Sequence, residues 1–284
     1  MSAAAILLLI YLPAIFAVSM LGGWLPRRFH MTHTRTQLVM SLVAGLMLGV
    51  AFFHLIPHAA LAKTASIDFA MAWVMAGLVF MLVLLRLFHF HQHDFDEAHA
   101  NCAEGGANAH SHGHAHDHSH SLPPGGPFTW MGLLLGLGIH TLVDGVALGA
   151  VMRAGTGSDA GILGLGVFLA IFLHKPLDAL SIETVLAASG QSPRRRHWIN
   201  LIFSLLCPAA AVIFWYFVEL SPSDGKTLAA ALAFSAGAFI CIALGDLLPE
   251  IQFHSHDRMK LTVLFVLGIV LAWGIGVVEP AHIL

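Results

Sequence analysis

The chain contains 284 residues, of which 57% are hydrophobic and 10% are charged, and its formal net charge is −3. Because soluble domains carry about 25% charged residues, this composition excludes an ordinary soluble protein and indicates an integral protein of the lipid bilayer. No nucleic-acid partner is expected. The three cysteines are widely separated, so they predict neither a disulfide framework nor a thiolate metal site.

Eight apolar segments are long enough to cross a bilayer, for which about 20 apolar residues suffice. The first is interpreted as a retained helix and not as a secretion signal, because basic residues follow the apolar run instead of preceding it. The predicted fold class is therefore an all-α integral membrane protein with eight transmembrane helices. The predicted spans are 3–24, 38–60, 69–89, 128–152, 161–187, 198–220, 227–250 and 261–280.

The distribution of Lys and Arg predicts the orientation, since cytoplasmic connections of membrane proteins are enriched in these residues. If the N-terminus is extracytoplasmic, nine of the 13 basic residues fall in cytoplasmic connections and three in external ones. Both termini are therefore predicted to be extracytoplasmic, in a multi-pass protein of the plasma (inner) membrane.

The second and seventh spans contain similar segments. Residues 44–58 read AGLMLGVAFFHLIPH and residues 236–250 read AGAFICIALGDLLPE, which align at a constant offset of 192. The two spans run in opposite directions because five crossings separate them. The pattern is typical of an inverted repeat with Pro-broken helices in a secondary transporter. Chance similarity among common Ala, Gly and Leu residues is the alternative.

One polar segment, residues 89–126, contains ten of the 20 histidines and has no apolar face to bury, which predicts a disordered cytoplasmic loop. It separates helices one to three, in 1–88, from helices four and five, in 127–190. Helices six to eight follow in 191–284. The loop is expected to bind divalent metal loosely or to act only as a tether. Its regularly spaced histidines are His110, His112, His114, His116, His118 and His120.

Helices four and five each carry a His and an Asp four residues apart: HTLVD contains His140 and Asp144, and HKPLD contains His174 and Asp178. This spacing places each pair on one helix face, and helices adjacent in sequence are usually adjacent in space. Two imidazoles and two carboxylates predict a four-ligand site for a divalent ion such as zinc. The alternative is that each His only hydrogen-bonds its own Asp and stabilises the bundle.

Lys175 adds a positive charge beside this predicted cation site, where it is expected to repel metal. One hypothesis is that its ammonium takes the place of a second metal ion and holds a carboxylate that would otherwise need one. The alternative is a purely structural pair with Asp178. Ionisable groups in spanning helices are expensive and usually functional, which favours the first hypothesis.

Further polar residues predict an entrance and an exit for the ion, because polar groups at membrane depth usually face a cavity. The entrance is predicted at His54 and His58, which are four residues apart and flank a proline. Any of these residues taken alone is equally compatible with a satisfied helix end. The predicted exit residues are Asp246 and Glu250, then His254 and His256 at the cytoplasmic rim, with Glu183 as a weaker candidate.

The eight spans, the His-rich loop between helices three and four, and the HTLVD and HKPLD motifs together resemble the ZIP (Zrt/Irt-like) family of divalent-metal transporters. The segments HLIPHA and GDLLPEI are similar to its prokaryotic branch. The resemblance implies a 3+2+3 bundle in which helices one to three and six to eight form an inverted repeat. It also implies that zinc, and often Fe²⁺, Mn²⁺ or Cd²⁺, is a substrate moved toward the cytoplasm by an elevator-type motion.

The family pattern is matched only in part at the metal site. Members with two adjacent metals have Asn, Asp and Glu where this chain has Thr141, Lys175 and Cys207, which implies a single-metal site here. The family commonly has Glu at the two Asp positions, and His58 also replaces a common Glu. The residues that match the primary ligands are His140, Asp144, His174 and Asp178.

The main alternative is a metal exporter of the cation diffusion facilitator type, but that family usually has six helices, paired motifs on non-consecutive helices and a soluble domain. A membrane-embedded metalloenzyme is less favoured because the chain has no HExxH motif, so the protein is not expected to be an enzyme. A metal sensor would bind zinc without moving it. Small-residue faces such as GLLLGLG allow close packing within one subunit or between two subunits of a homodimer.

Overall fold

The computed structural model describes residues 3–24, 33–62, 65–88, 127–154, 164–220, 225–247 and 258–278. Within these ranges every regular element is helical, and eight helices are long and apolar enough to cross a membrane. The prediction of an all-α protein with eight spanning helices is confirmed. The helices are α1 (Ala3–Trp24), α2 (His33–Val50, Ala51–Leu55 and Ile56–Ala60 in succession), α3 (Ile67–Phe88), α4 (Pro127–Ala154), α5 (Leu165–Ala188), α6 (Pro193–Leu220), α7 (Lys226–Ile242 followed by Ala243–Leu247) and α8 (Arg258–Val278).

Two helices begin five residues before the predicted apolar runs, α2 at His33 and α6 at Pro193. Their first residues, HTRTQ and PRRRH, are polar, so a search for apolar runs stops short of them. Pro193 suits the first position of a helix, because the N–H that proline lacks has no partner there in any helix.

The set of packing contacts between helices is the same when the first three helices are exchanged with the last three and α4 is exchanged with α5. α1 packs on α5, and α4 packs on α6; α2 packs on α8, and α3 packs on α7. Replacing α1, α2 and α3 by α6, α7 and α8, and α4 by α5, converts each of these contacts into another member of the same set. A 3+2+3 inverted repeat, as predicted from the sequence, requires this set of helix contacts.

Glycines at matched positions of the two repeats lie where two helices approach closely. Gly45 of α2 lies against the carbonyl of Phe265 in α8, and Gly237 of α7 lies against the carbonyl of Val74 in α3. The two glycines are related by the offset of 192 that aligns 44–58 with 236–250. A Cβ at either position would collide with the facing carbonyl, so only glycine allows these helices to approach so closely.

α2 and α7 each contain one widened, π-helical turn, at Ala51–Leu55 and Ala243–Leu247. In the first, the N–H of Ile56 bonds to the carbonyl of Ala51, five residues back. The expectation that proline breaks α2 is therefore wrong: the widened turn precedes Pro57, and the helix continues to Ala60. The two turns are again separated by 192 residues, and π turns occur frequently at functional sites.

The centre of the bundle contains α4, whereas α3 and α8 lie at the periphery. In α4, 67% of the most apolar stretch is buried, compared with 17% in α8. Gly145 and Gly149 of α4 face the backbone of α6, which allows the two helices to approach closely. α3 and α8 expose large apolar side chains such as Trp73 and Trp273, as expected for surfaces in contact with lipid.

Candidate metal centre

The two His/Asp pairs of α4 and α5 meet inside the bundle. One ligand atom from each of the four side chains lies within 4.8 Å of the corresponding atoms of the other three. Helical spacing explains this convergence, because residues four apart share a face and α4 contacts α5. The four residues are His140, Asp144, His174 and Asp178.

The distances within this cluster suit a tetrahedral dication. His174 Nε2 lies 3.1 Å from Asp144 Oδ2 and 3.8 Å from Asp178 Oδ2. His140 Nε2 lies 3.4 Å from the Asp144 oxygen and 3.6 Å from the Asp178 oxygen. Zinc bonds of about 2.0–2.1 Å at tetrahedral angles separate ligand atoms by about 3.3 Å. The four separations lie on both sides of this value.

Hydrogen bonding at α5 orients one imidazole toward the centre of the cluster. His174 Nδ1 lies 2.7 Å from the carbonyl oxygen of Ala170. Because a carbonyl only accepts, Nδ1 donates, and in a neutral ring Nε2 keeps the lone pair that faces the aspartates. Backbone carbonyls commonly orient metal-binding histidines in this way.

Two atoms of the cluster are buried without a hydrogen-bond partner among the described residues: His140 Nδ1 and Asp144 Oδ1. Buried polar atoms are nearly always paired. An unpaired carboxylate oxygen next to the point where the four metal-ligating groups converge can therefore still coordinate an ion. The donor set, two nitrogens and two carboxylate oxygens, is one that zinc accepts.

Lys175 belongs to the same cluster of polar groups. Its Nζ donates to Thr141 Oγ1 at 3.1 Å, to Asp178 Oδ2 at 2.9 Å, and to Asp144 Oδ2. An ammonium has three protons, and here each has an acceptor. The ring of Phe203 on α6 lies 5.8 Å away and adds a cation–π contact. The alternative hypothesis of a Lys175–Asp178 pair is therefore incomplete, because Lys175 bonds to the carboxylates of both Asp144 and Asp178.

The predicted entrance residues lie outside this cluster. His54 is buried in the widened turn of α2, with Nε2 2.8 Å from the carbonyl of Ala272 in α8 and its ring against Gly166 at the start of α5. His58 is half-buried, and its Nδ1 lies 2.5 Å from the carbonyl of His54. Both imidazoles therefore lie at hydrogen-bond distance from backbone carbonyls, and their role at an entrance stays a prediction.

The remaining predicted residues are placed as follows. Cys207 is buried on α6, and its carbonyl faces Gly145. Glu183 is buried near the end of α5 and pairs with Arg196 of α6 at 2.9 Å. Asp246 lies in the widened turn of α7. Outside the described residues lie Glu250, His254, His256 and the loop histidines His110, His112, His114, His116, His118 and His120.

Two contacts of the predicted site residues were not anticipated from the sequence. Neither Arg196 nor Phe203 is among the predicted site residues, although they contact Glu183 and Lys175. A buried glutamate needs a partner, and Arg196 lies close to it at the start of the next helix, which is the signal that identifies this pair. No sequence signal distinguishes Phe203 from other apolar residues of α6.

Comparison with known proteins gives one family. A family model described as "ZIP Zinc transporter" matches residues 2–277. Zinc transporter ZIP9 of Micropogonias undulatus is 35% identical over 130 residues, which are 44% of this chain and 40% of that protein. ZIP9 of Macaca fascicularis is 35% identical over 130 residues, 44% of this chain and 53% of that protein. Zinc transporter foi of Drosophila melanogaster is 32% identical over 146 residues, 51% and 19% of the two chains. The aligned part spans about half or less of these relatives.

Proposed function

The chain belongs to the ZIP zinc transporter family, and from this premise we propose that it carries zinc across a membrane by alternating access through one intramembrane site. The proposed ligands are His140, Asp144, His174 and Asp178. Zinc is the transported substrate and not a cofactor. Membership of a transporter family also argues against the metalloenzyme alternative, so we infer that the protein is not an enzyme.

The observation that carries this proposal is the convergence of four ligand groups from two neighbouring helices, of which three are buried and Asp178 is half-buried. The alternative is a purely structural role, in which each His only hydrogen-bonds its own Asp. That arrangement is expected to leave no buried polar atom of the cluster unpaired. Asp144 Oδ1 and His140 Nδ1 are buried without a hydrogen-bond partner in the described part of the chain. This favours a binding site over a purely structural contact.

We propose a single ion at this site. The support comes from Lys175, whose ammonium bonds to both carboxylates and to Thr141. A second cation placed near the same carboxylates would be repelled by the fixed ammonium. Cys207 of α6 is buried, and as a cysteine it supplies no carboxylate for a second ion.

The direction of transport is proposed to be toward the cytoplasm, with both termini extracytoplasmic and the protein in the plasma membrane. His54 and His58 would pass an ion from outside to the central site, and movement of α4 and α5 against the other helices would expose it inward. The groups proposed to accept it are Asp246, Glu250, His254, His256 and the loop histidines. Fe²⁺, Mn²⁺ and Cd²⁺ are further candidate substrates.

The test is zinc uptake by proteoliposomes that contain the purified full chain. Uptake driven by a zinc gradient is expected to exceed that of protein-free vesicles severalfold and to be reduced by excess unlabelled zinc. The reduction of zinc uptake by Fe²⁺, Mn²⁺ or Cd²⁺, each added separately, ranks these ions as competing substrates. In cells, accumulation of zinc supports import, whereas net extrusion supports the exporter alternative. Binding of zinc without any uptake would indicate a sensor and overturn the proposal.

A further inference from the structure

The molecule contains a fixed positive charge that zinc binding does not require. Lys175 is 1% exposed, and its three ammonium protons are bonded to Thr141, Asp144 and Asp178. The two aspartates are also proposed ligands, so the ammonium and the transported ion share the same carboxylates. A cation at this position weakens the attraction of the site for zinc, and its presence therefore needs a reason other than affinity.

The reason lies in the charge of the site in its two transport states. With neutral imidazoles, two carboxylates and one ammonium give the empty site a formal charge of −1, and a bound dication changes it to +1. Without the ammonium the same site would have a charge of −2 when empty and zero when loaded. The cost of removing a charge from water rises with its square. The lysine therefore makes the empty and the loaded site equally expensive to enclose.

A carrier that performs net transport must move in both states, because the empty site returns after each delivery. A doubly charged empty site would carry about four times the desolvation cost of a singly charged one and would slow this return. We propose that Lys175 is a positioning residue that balances the charge of the empty and loaded site, so that the empty carrier reorients about as fast as the loaded one. This inference rests on the proposed function.

The geometry supports a permanent counter-ion at this place. The ammonium is anchored on α5 within the helix that carries His174 and Asp178, and its hydrogen bonds to Thr141 and Asp144 connect it to α4. It therefore moves with the proposed ligands whenever these helices move. Both carboxylates retain a bond to Lys175, while Asp144 Oδ1 has no hydrogen-bond partner among the residues described.

Two transport modes separate the two states of the carrier. Net uptake into zinc-free vesicles requires the empty site to return, whereas exchange with unlabelled zinc inside requires only the loaded site to move. Both are measured with radiolabelled zinc in proteoliposomes of the full chain, with potassium and valinomycin clamping the membrane potential. For the wild type, we expect the exchange rate to be within about threefold of the net rate, since equal barriers give equal rates.

The variant Lys175→Met keeps an unbranched side chain that is only one atom shorter and removes the charge. We expect its exchange rate to be at least that of the wild type, because its loaded site is neutral, and its net uptake to fall at least about tenfold, so that the ratio of exchange to net uptake rises at least about tenfold. Thr141→Val is the matched control, because it removes one acceptor of the ammonium and leaves the charge unchanged. Its ratio is expected to stay near that of the wild type.

An unchanged ratio in Lys175→Met, or loss of both modes in a monodisperse Lys175→Met protein, would overturn the inference. If that variant does not fold, the wild type decides: exchange more than about tenfold faster than net uptake shows an empty carrier that returns slowly and overturns the inference. These results leave the proposed function intact. Absence of zinc uptake by the wild type in both modes would instead overturn the proposed function, and the inference with it.

Discussion

His174 lies closer to the aspartate of the neighbouring helix than to the aspartate one turn along its own helix: its Nε2 is 3.1 Å from Asp144 Oδ2 and 3.8 Å from Asp178 Oδ2. The two His/Asp pairs are therefore not independent. They form one cluster across the α4–α5 contact, and removal of any member is expected to affect the whole site.

Loss of a central side chain is expected to abolish transport without preventing expression. Asp144→Ala and His174→Ala each remove one of four proposed ligands, so zinc uptake should fall by more than the roughly 10- to 100-fold that loss of an outer-shell partner causes. Asp68→Ala, which removes an exposed carboxylate at the start of α3, is the matched control and should retain uptake. Wild-type uptake rates in either site variant would exclude these residues as ligands.

Replacing the ammonium by a carboxylate is expected to create a second metal position. Lys175→Asp removes the charge that contacts both aspartates and adds a third oxygen ligand beside them. Two bound ions per chain are expected, compared with one in the wild type, because carboxylate oxygens and imidazoles both bind divalent metals. Anomalous scattering from zinc-soaked crystals measures the number. One ion in both proteins would show that Lys175 does not stand in for a metal.

The glycine contacts between repeats are expected to be intolerant of any side chain. In Gly45→Ala and Gly237→Ala the new Cβ would meet the carbonyls of Phe265 and Val74, and overpacking of this kind costs about 1–3 kcal/mol. Thermal unfolding in detergent measures the effect. Gly274→Ala in α8 is the control, because nothing lies within 4 Å of a Cβ there. A lowered stability of the control equal to that of the two variants would refute the packing argument.

The ion pair between α5 and α6 is expected to stabilise their junction. Arg196→Met leaves the buried Glu183 carboxylate without the guanidinium 2.9 Å away, and breaking a buried pair from one side costs about 3 kcal/mol. The double variant Glu183→Gln/Arg196→Met should recover at least half of this loss, which thermal unfolding of all three proteins tests. Arg194→Met, at an exposed position of the same segment, should change stability little. Strictly additive effects would argue against a coupled pair.

The features that depend on local sequence can be predicted, whereas those that depend on how the helices pack cannot. Apolar runs are sufficient to predict eight spans, and the i, i+4 spacing is sufficient to predict that His140 and Asp144 share a face. The bond from Lys175 to Thr141 joins two helices, so its formation depends on how α4 and α5 are rotated. Pro57 predicts a break because proline has no backbone N–H to donate. In the structure the helix continues past Pro57 by forming a widened turn at Ala51–Leu55.

The widened turns also change which neighbour each end of the helix faces. A π turn holds one residue more than an α turn, so every side chain beyond it is rotated by about 100° relative to a regular helix. In α2 the residues before the turn pack chiefly on α8, and Ile56–Ala60 pack on α7 and α3. A single periodicity fitted over the entire span would therefore assign the wrong face to its last turn. Alignments of this span with relatives that lack the extra residue should place a one-position gap between 51 and 55, and likewise between 243 and 247.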